Sequence, residues 1–173
     1  IGSPEKGVLS LGGGSLDTTM QDYYADLLAE QQKAAQLRTQ AALAANNAYI
    51  PQVNQLADQR LQDSYIAREM ARVNMPQQLS AMGYSGGAAE TTLLGLDTNY
   101  QNNRNSIEQD REQALGEIRR NAQQIEATGN ADLADLAANY YQNLVNKQMR
   151  DQENALTRSE ERRVGKECMP VCR

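Results

Sequence analysis

The sequence contains no histidine, no phenylalanine and no tryptophan, and its only aromatic residues are eight tyrosines. Histidine is the one side chain whose ordinary pKa lets it exchange protons near neutrality. Its absence excludes a Ser–His or Cys–His catalytic pair within the chain, and also the Glu-x-x-His ligand motif of di-metal helical bundles. Phe and Trp bring the largest buried areas to a core, so a chain without them is not built around a thick globular interior. No apolar run approaches the roughly 20 residues that a membrane-spanning helix needs, and membrane association is not expected. A cationic excess is also missing. The net charge is -5, and direct binding to nucleic acid relies on Lys and Arg to neutralise phosphates.

What remains is rich in Ala, Gln, Leu, Glu and Arg, the residues that lose least on entering a helix. Strand-favouring Val, Ile and Thr are sparse. The fold class is therefore all-α, with long amphipathic helices paired as an antiparallel hairpin or coiled-coil-like bundle. Gln and Asn are frequent but interspersed through a helical apolar pattern, which fits solvated helix faces better than a prion-like tract.

Residues 1–16 are rich in Gly and Ser around Gly12-Gly13-Gly14 and read as a flexible linker. The helical domain is expected over residues 17–157. Asp17 or Thr18 can cap its first helix, in which Leu27, Ala34, Ala41 and Ala48 recur every seven residues as an alanine seam. Pro51 predicts a kink or a break with immediate restart. The second helix presents Val53, Leu56, Leu61, Ile66, Met70 and Val73 as its apolar set, with a further kink or restart at Pro76. Gly83-Tyr84-Ser85-Gly86-Gly87 is the clearest turn, because glycines supply positive φ without steric cost. Gly87 or Ser85 is the expected cap of the next helix. Its stripe runs Leu93, Leu96, Tyr100, Ile107, Ala114, Ile118, Ala122, Ile125, with Leu96, Ile107 and Ile118 eleven residues apart. An eleven-residue period favours straight or slightly right-handed packing. A second turn is expected at 128–130, where Thr128-Gly129-Asn130 has the composition of a helix stop. A last helix then carries Leu133, Leu136, Tyr140 and Leu144.

Residues 158–173 differ in character. Arg158 to Cys168 resembles the in-frame translation of a short-read sequencing adapter, and the segment is expected not to belong to the natural protein. Removing its five basic and three acidic residues leaves 12 Lys+Arg against 19 Asp+Glu, a net charge of -7. Cys168 and Cys172 then say nothing about metal binding or redox compartment. The start at Ile1 likewise reads as a piece of a longer frame.

No catalytic, cofactor-binding or metal-ligating residue is assigned. Gly83-Tyr84-Ser85-Gly86-Gly87 matches the G-x-S-x-G elbow of α/β-hydrolases, but that motif needs a strand before it and a histidine beside it. Here a helical pattern precedes it, and Ser85 is read as a turn residue. Glu108, Asp110, Glu112, Glu117 and Glu126 alternate with Arg104, Arg111, Arg119 and Arg120, as on a solvated face with paired charges. No cofactor is implied. Tyr23-Tyr24 and Tyr140-Tyr141 should each place one ring in the seam and one sideways, the outer ring being suited to a contact with another subunit.

The phrases running from Met75-Pro76-Gln77-Gln78-Leu79 through Gly83-Tyr84-Ser85-Gly86-Gly87 to Leu93-Leu94-Gly95-Leu96, followed by Asn99-Tyr100-Gln101-Asn102-Asn103-Arg104, resemble short Gln/Ala-rich helical proteins from the virion-structural modules of tailed bacteriophages and prophages. The resemblance extends over Met75 to Leu144. It implies a non-catalytic virion structural or assembly protein, a homo-oligomer or a partner of other virion proteins, found in the virion and in the bacterial cytoplasm during assembly. An ejection protein and a coiled-coil stalk of a larger phage enzyme are the alternative expectations.

Overall fold

In a computed structural model, residues 14–83 and 86–167 are described, and among them every regular element is a helix. There are three: α1 (Gly14–Asn47), α2 (Tyr49–Ala81) and α3 (Gly87–Glu167). The chain is all-α, as its composition requires, and α2 returns antiparallel along α3 as a helical hairpin. The linker assigned to 1–16 lies mostly outside the described residues. Its last three residues are already in α1, so that helix opens before the expected cap at Asp17 or Thr18.

Proline chemistry places the break between α1 and α2. Pro51 has no N–H, so the Asn47 carbonyl four residues earlier loses its helical donor, and the ring crowds that same oxygen. α1 ends at Asn47. Ala48 stays near helical geometry, with φ -62° and ψ -19°, and its N–H still reaches the Ala44 carbonyl at 3.0 Å. The restart is therefore immediate. Pro76 behaves differently, for α2 passes through it to Ala81 without a break.

The hairpin turn is made by glycine. Gly83 and Gly86 hold φ of +79° and +76°, a region that costs an L side chain about 1–2 kcal/mol. The Met82 and Gly83 amides close α2 by bonding the Gln78 and Ser80 carbonyls. The Gly86 carbonyl opens α3 by accepting from Ala89 at 3.0 Å, a role expected of Gly87 or Ser85. Ser85 itself lies outside the described residues.

The expected turn at 128–130 is absent. α3 runs unbroken from Gly87 to Glu167, and Gly129 is not at positive φ but is a buried helical residue. The reason is the seam. Along α3 the inward positions Leu96, Ile107, Ile118, Gly129 and Tyr140 succeed one another every eleven residues, and so do Tyr100, Arg111, Ala122, Leu133 and Leu144. Continuing that register outweighs the roughly 1 kcal/mol that a helical glycine costs.

The seam of the other two helices also keeps the eleven-residue period. Tyr24, Ala35, Asn46, Ala57, Arg68 and Leu79 all turn inward. This overturns the seven-residue alanine seam, since Leu27, Ala41 and Ala48 are exposed. It also revises the apolar set of α2. Val53 and Leu61 are half-buried, but Leu56, Ile66, Met70 and Val73 are exposed by 51%, 43%, 64% and 68%. Three turns of helix take close to eleven residues, whereas a strict heptad drifts by about 20° each repeat, and Leu27, where the alanine seam was to begin, already lies off the contact face.

By contacts the chain divides into two compact units. Among the described residues, one joins α1 as far as Arg38 with α3 from Thr128, and the other is Thr39–Ala127. Each is a thin antiparallel packing of helices. Ala35, Ala57 and Ile118 are the buried hydrophobic side chains among the described residues. From Gln148 to Lys166 every residue of α3 is exposed.

Candidate functional site

In the unit Thr39–Ala127, polar side chains occupy positions that the period reserves for the seam. Asn46 donates from its side-chain amide to the Ile118 carbonyl at 2.9 Å, a long-range bond into the back of an intact helix. Arg68 sits two repeats further on. Its guanidinium lies 4.8 Å from the Tyr100 ring centre, within cation–π range. Tyr65 meets the same Tyr100 ring edge-on at 6.4 Å. Arg68 Nε approaches Asp97 Oδ1 at 3.0 Å but off the hydrogen-bonding line, and it has no aligned acceptor. The contact is an ion pair across the two helices, reinforced by the stacked ring.

The carboxylates of α3 enter similar pairs. Arg111 binds Glu108 on its own helix and Asp58 on α2, the latter at 3.4 Å. Asp110 faces Arg60 across the helices at 3.8 Å, and Glu112 faces Arg119 at 3.6 Å. Sequence periodicity predicts pairs along one helix, whereas the structure adds pairs between helices. Mostly exposed pairs of this kind contribute about 0–1 kcal/mol each, and their value lies in orienting α2 against α3. A hollow between them is lined by Val53, Leu56, Ala57, Ile107 and Ala114, with Arg60, Asp110 and Arg111 at its polar side. It brings together no nucleophile and base.

The unit formed by the start of α1 and the second half of α3 has two unlike flanks. One hollow lies among Ala34, Arg38, Asp132, Asp135 and Leu136, and a second on the same side includes Met20, Arg150 and Asp151. The other flank holds a hollow between Gln21 of α1 and Tyr141, Leu144, Val145 and Gln148 of α3, with Lys147 at its inner edge. The Lys147 amine is 3.5 Å from Asp151. Both tyrosine pairs divide as expected. Tyr24 and Tyr140 are half-buried, while Tyr23 and Tyr141 are exposed by 59% and 65%. Within each pair the rings meet edge-to-face, at 5.8 and 5.5 Å.

Among the described residues no three His, Cys, Asp or Glu side chains converge as a metal site, and no helix is long and apolar enough to cross a membrane. The residues with the most specific contacts, Asn46 and Arg68, escaped the sequence reading because both are polar. Their place on the line through Tyr24, Ala35, Ala57 and Leu79 was the available signal. No protein-family model, curated protein or solved structure matches the chain.

Proposed function

We propose that this chain is a non-catalytic structural or assembly protein of a tailed-phage virion that acts by helix-mediated association. The observation that carries the reading is the balance of burial. Among the described residues seventeen large apolar side chains are exposed, while only Ala35, Ala57 and Ile118 are buried. Helices in proteins owe most of their stability to a packed apolar face, and these faces are barely packed within one chain. A partner helix supplies what they lack. The chemistry of the flanks agrees, since they offer ridges and shallow hollows rather than an enclosed pocket with convergent polar groups. The phage assignment rests on the phrases from Met75 to Leu144 that resemble virion-structural proteins.

The test is helicity by circular dichroism alongside sedimentation velocity, on the whole chain under reducing conditions, over a hundred-fold dilution. Helicity and sedimentation coefficient should fall together. A monomer that keeps its helicity at every concentration would sink the association reading. The virion assignment is tested separately by sequencing the surrounding locus, where portal, capsid or tail genes should be found. A catalytic domain in the same frame would instead identify a stalk, and leakage of dye from lipid vesicles would identify an ejection protein.

A further inference from the structure

The two flanks of the unit containing the start of α1 and the second half of α3 differ in charge. On the side of the Tyr141 hollow, α1 presents Gln21, Ala25, Gln32 and Gln36, spaced four, seven and four residues apart along one ridge. Beside it α3 presents Ala134, Ala138, Tyr141 and Val145, spaced four, three and four. Gln21, Tyr141 and Val145 line one hollow, so the two ridges border the same surface. Neither ridge contains an acid or a base, in a chain where 23% of residues are charged. Lys147, which lines the same hollow, is paired with Asp151. The opposite flank carries Arg38, Asp132, Asp135 and Arg150. The other unit has Asp58, Asp97, Glu108 and Arg111 along its helix contact.

We propose that this uncharged flank is where a second copy of the same chain docks, two-fold related, so that the two helix pairs form a four-helix contact. The proposal rests on the association reading above and names its surface. A two-fold interface sets one patch against itself, so each residue type must tolerate its own kind. Glutamine does, because its amide both donates and accepts. Alanine does, because small side chains let helices approach to about 8–10 Å. Charged residues do not, and two copies each carrying a net charge of -5 meet with least repulsion where neither presents a charge. Tyr141 and Val145, exposed by 65% and 52%, supply the apolar centre.

The size fits a reversible contact. The α1 ridge is about 22 Å long, the α3 ridge about 16 Å, and the helix pair about 20 Å wide. That gives roughly 400 Å2 per copy and roughly 800 Å2 in all, below the standard size of stable interfaces and in the range of weak, transient ones. The dimer should therefore dissociate on dilution.

Sedimentation equilibrium on the whole chain tests the surface. The Ala134→Glu/Val145→Glu double variant should weaken dimerisation at least ten-fold, because four carboxylates then meet across the axis. Ala134→Gln/Val145→Gln, equally polar but uncharged, should weaken it less than three-fold, which separates charge at the interface from loss of fold. Val73→Glu, on the exposed side of α2, should leave it unchanged. If the Glu double variant associates like the parent chain, this flank is not the interface, although the association reading survives. If the Gln and Glu doubles lose association equally, charge at this flank is not the cause, and the proposal fails. A parent chain that is monomeric throughout overturns both.

Discussion

At the residue scale, the conformations that matter are two glycines in the turn and one in the seam. Gly83 holds φ +79° with nothing within 4 Å of where a Cβ would stand, so its requirement is conformational rather than steric. Gly83→Ala should lower stability by about 1–2 kcal/mol, measured by urea denaturation, with the helical signal of the folded state retained. Gly129 is the opposite case, a buried residue in mid-helix. Its neighbour Asn130 is exposed and touches no seam, so it reports on helix continuity alone. Asn130→Pro should cost about 3 kcal/mol, because it removes a helical hydrogen bond and crowds the preceding turn. A helix that stopped at Thr128 would accept proline there with little change, and an unaltered denaturation midpoint would restore that stop.

At the scale of the element, the decisive property is which face of each helix turns inward. Ile107 and Ile118 lie on the eleven-residue line of α3, and Ile118 is among the few buried side chains. Ile118→Asp places an unpaired carboxylate at a buried position of the helix contact and should cost about 3 kcal/mol or more. Ile107→Asp, at a half-buried position, should cost less. Gln109→Asp lies on the exposed side of the same helix and should shift the midpoint by less than about 0.5 kcal/mol. Equal effects from Ile118→Asp and Gln109→Asp would mean that α3 has no defined inner face. The stripe of α3 was legible because large apolar residues, Leu93, Leu96, Ile107, Leu115, Ile118 and Ile125, recur among its inward positions. Those of α1 and α2 were not, because Asn46, Ser64 and Arg68 face inward while Ile66, Met70 and Val73 face out. Amphipathic contrast is weak where apolar residues occupy both faces, and a partner helix then decides between them.

At the scale of the whole molecule, the exposed end of α3 separates what the chain needs from what it carries. Every residue from Arg158 to Lys166 is exposed, and Leu156 just before them is exposed by 67%. A chain ending at Thr157 should therefore melt within about 2 °C of the longer one, since exposed residues away from contacts change stability little. A larger drop in a thermal scan would mean that this segment packs against something, and would count against reading it as adapter-derived. The sequence by itself determined the helical class, an interruption at Pro51 and the glycine turn that follows α2. Each follows from local chemistry: propensity, a missing N–H, a permitted positive φ. Only the tertiary structure decided that Thr128-Gly129-Asn130 stays helical, that the seam repeats every eleven residues, and that Asn46 and Arg68 belong to it. These outcomes depend on what the opposite helix offers at each turn, where Ile118 gives a carbonyl to Asn46 and Tyr100 gives a ring to Arg68. A residue's own propensity contains no record of its neighbour across the seam.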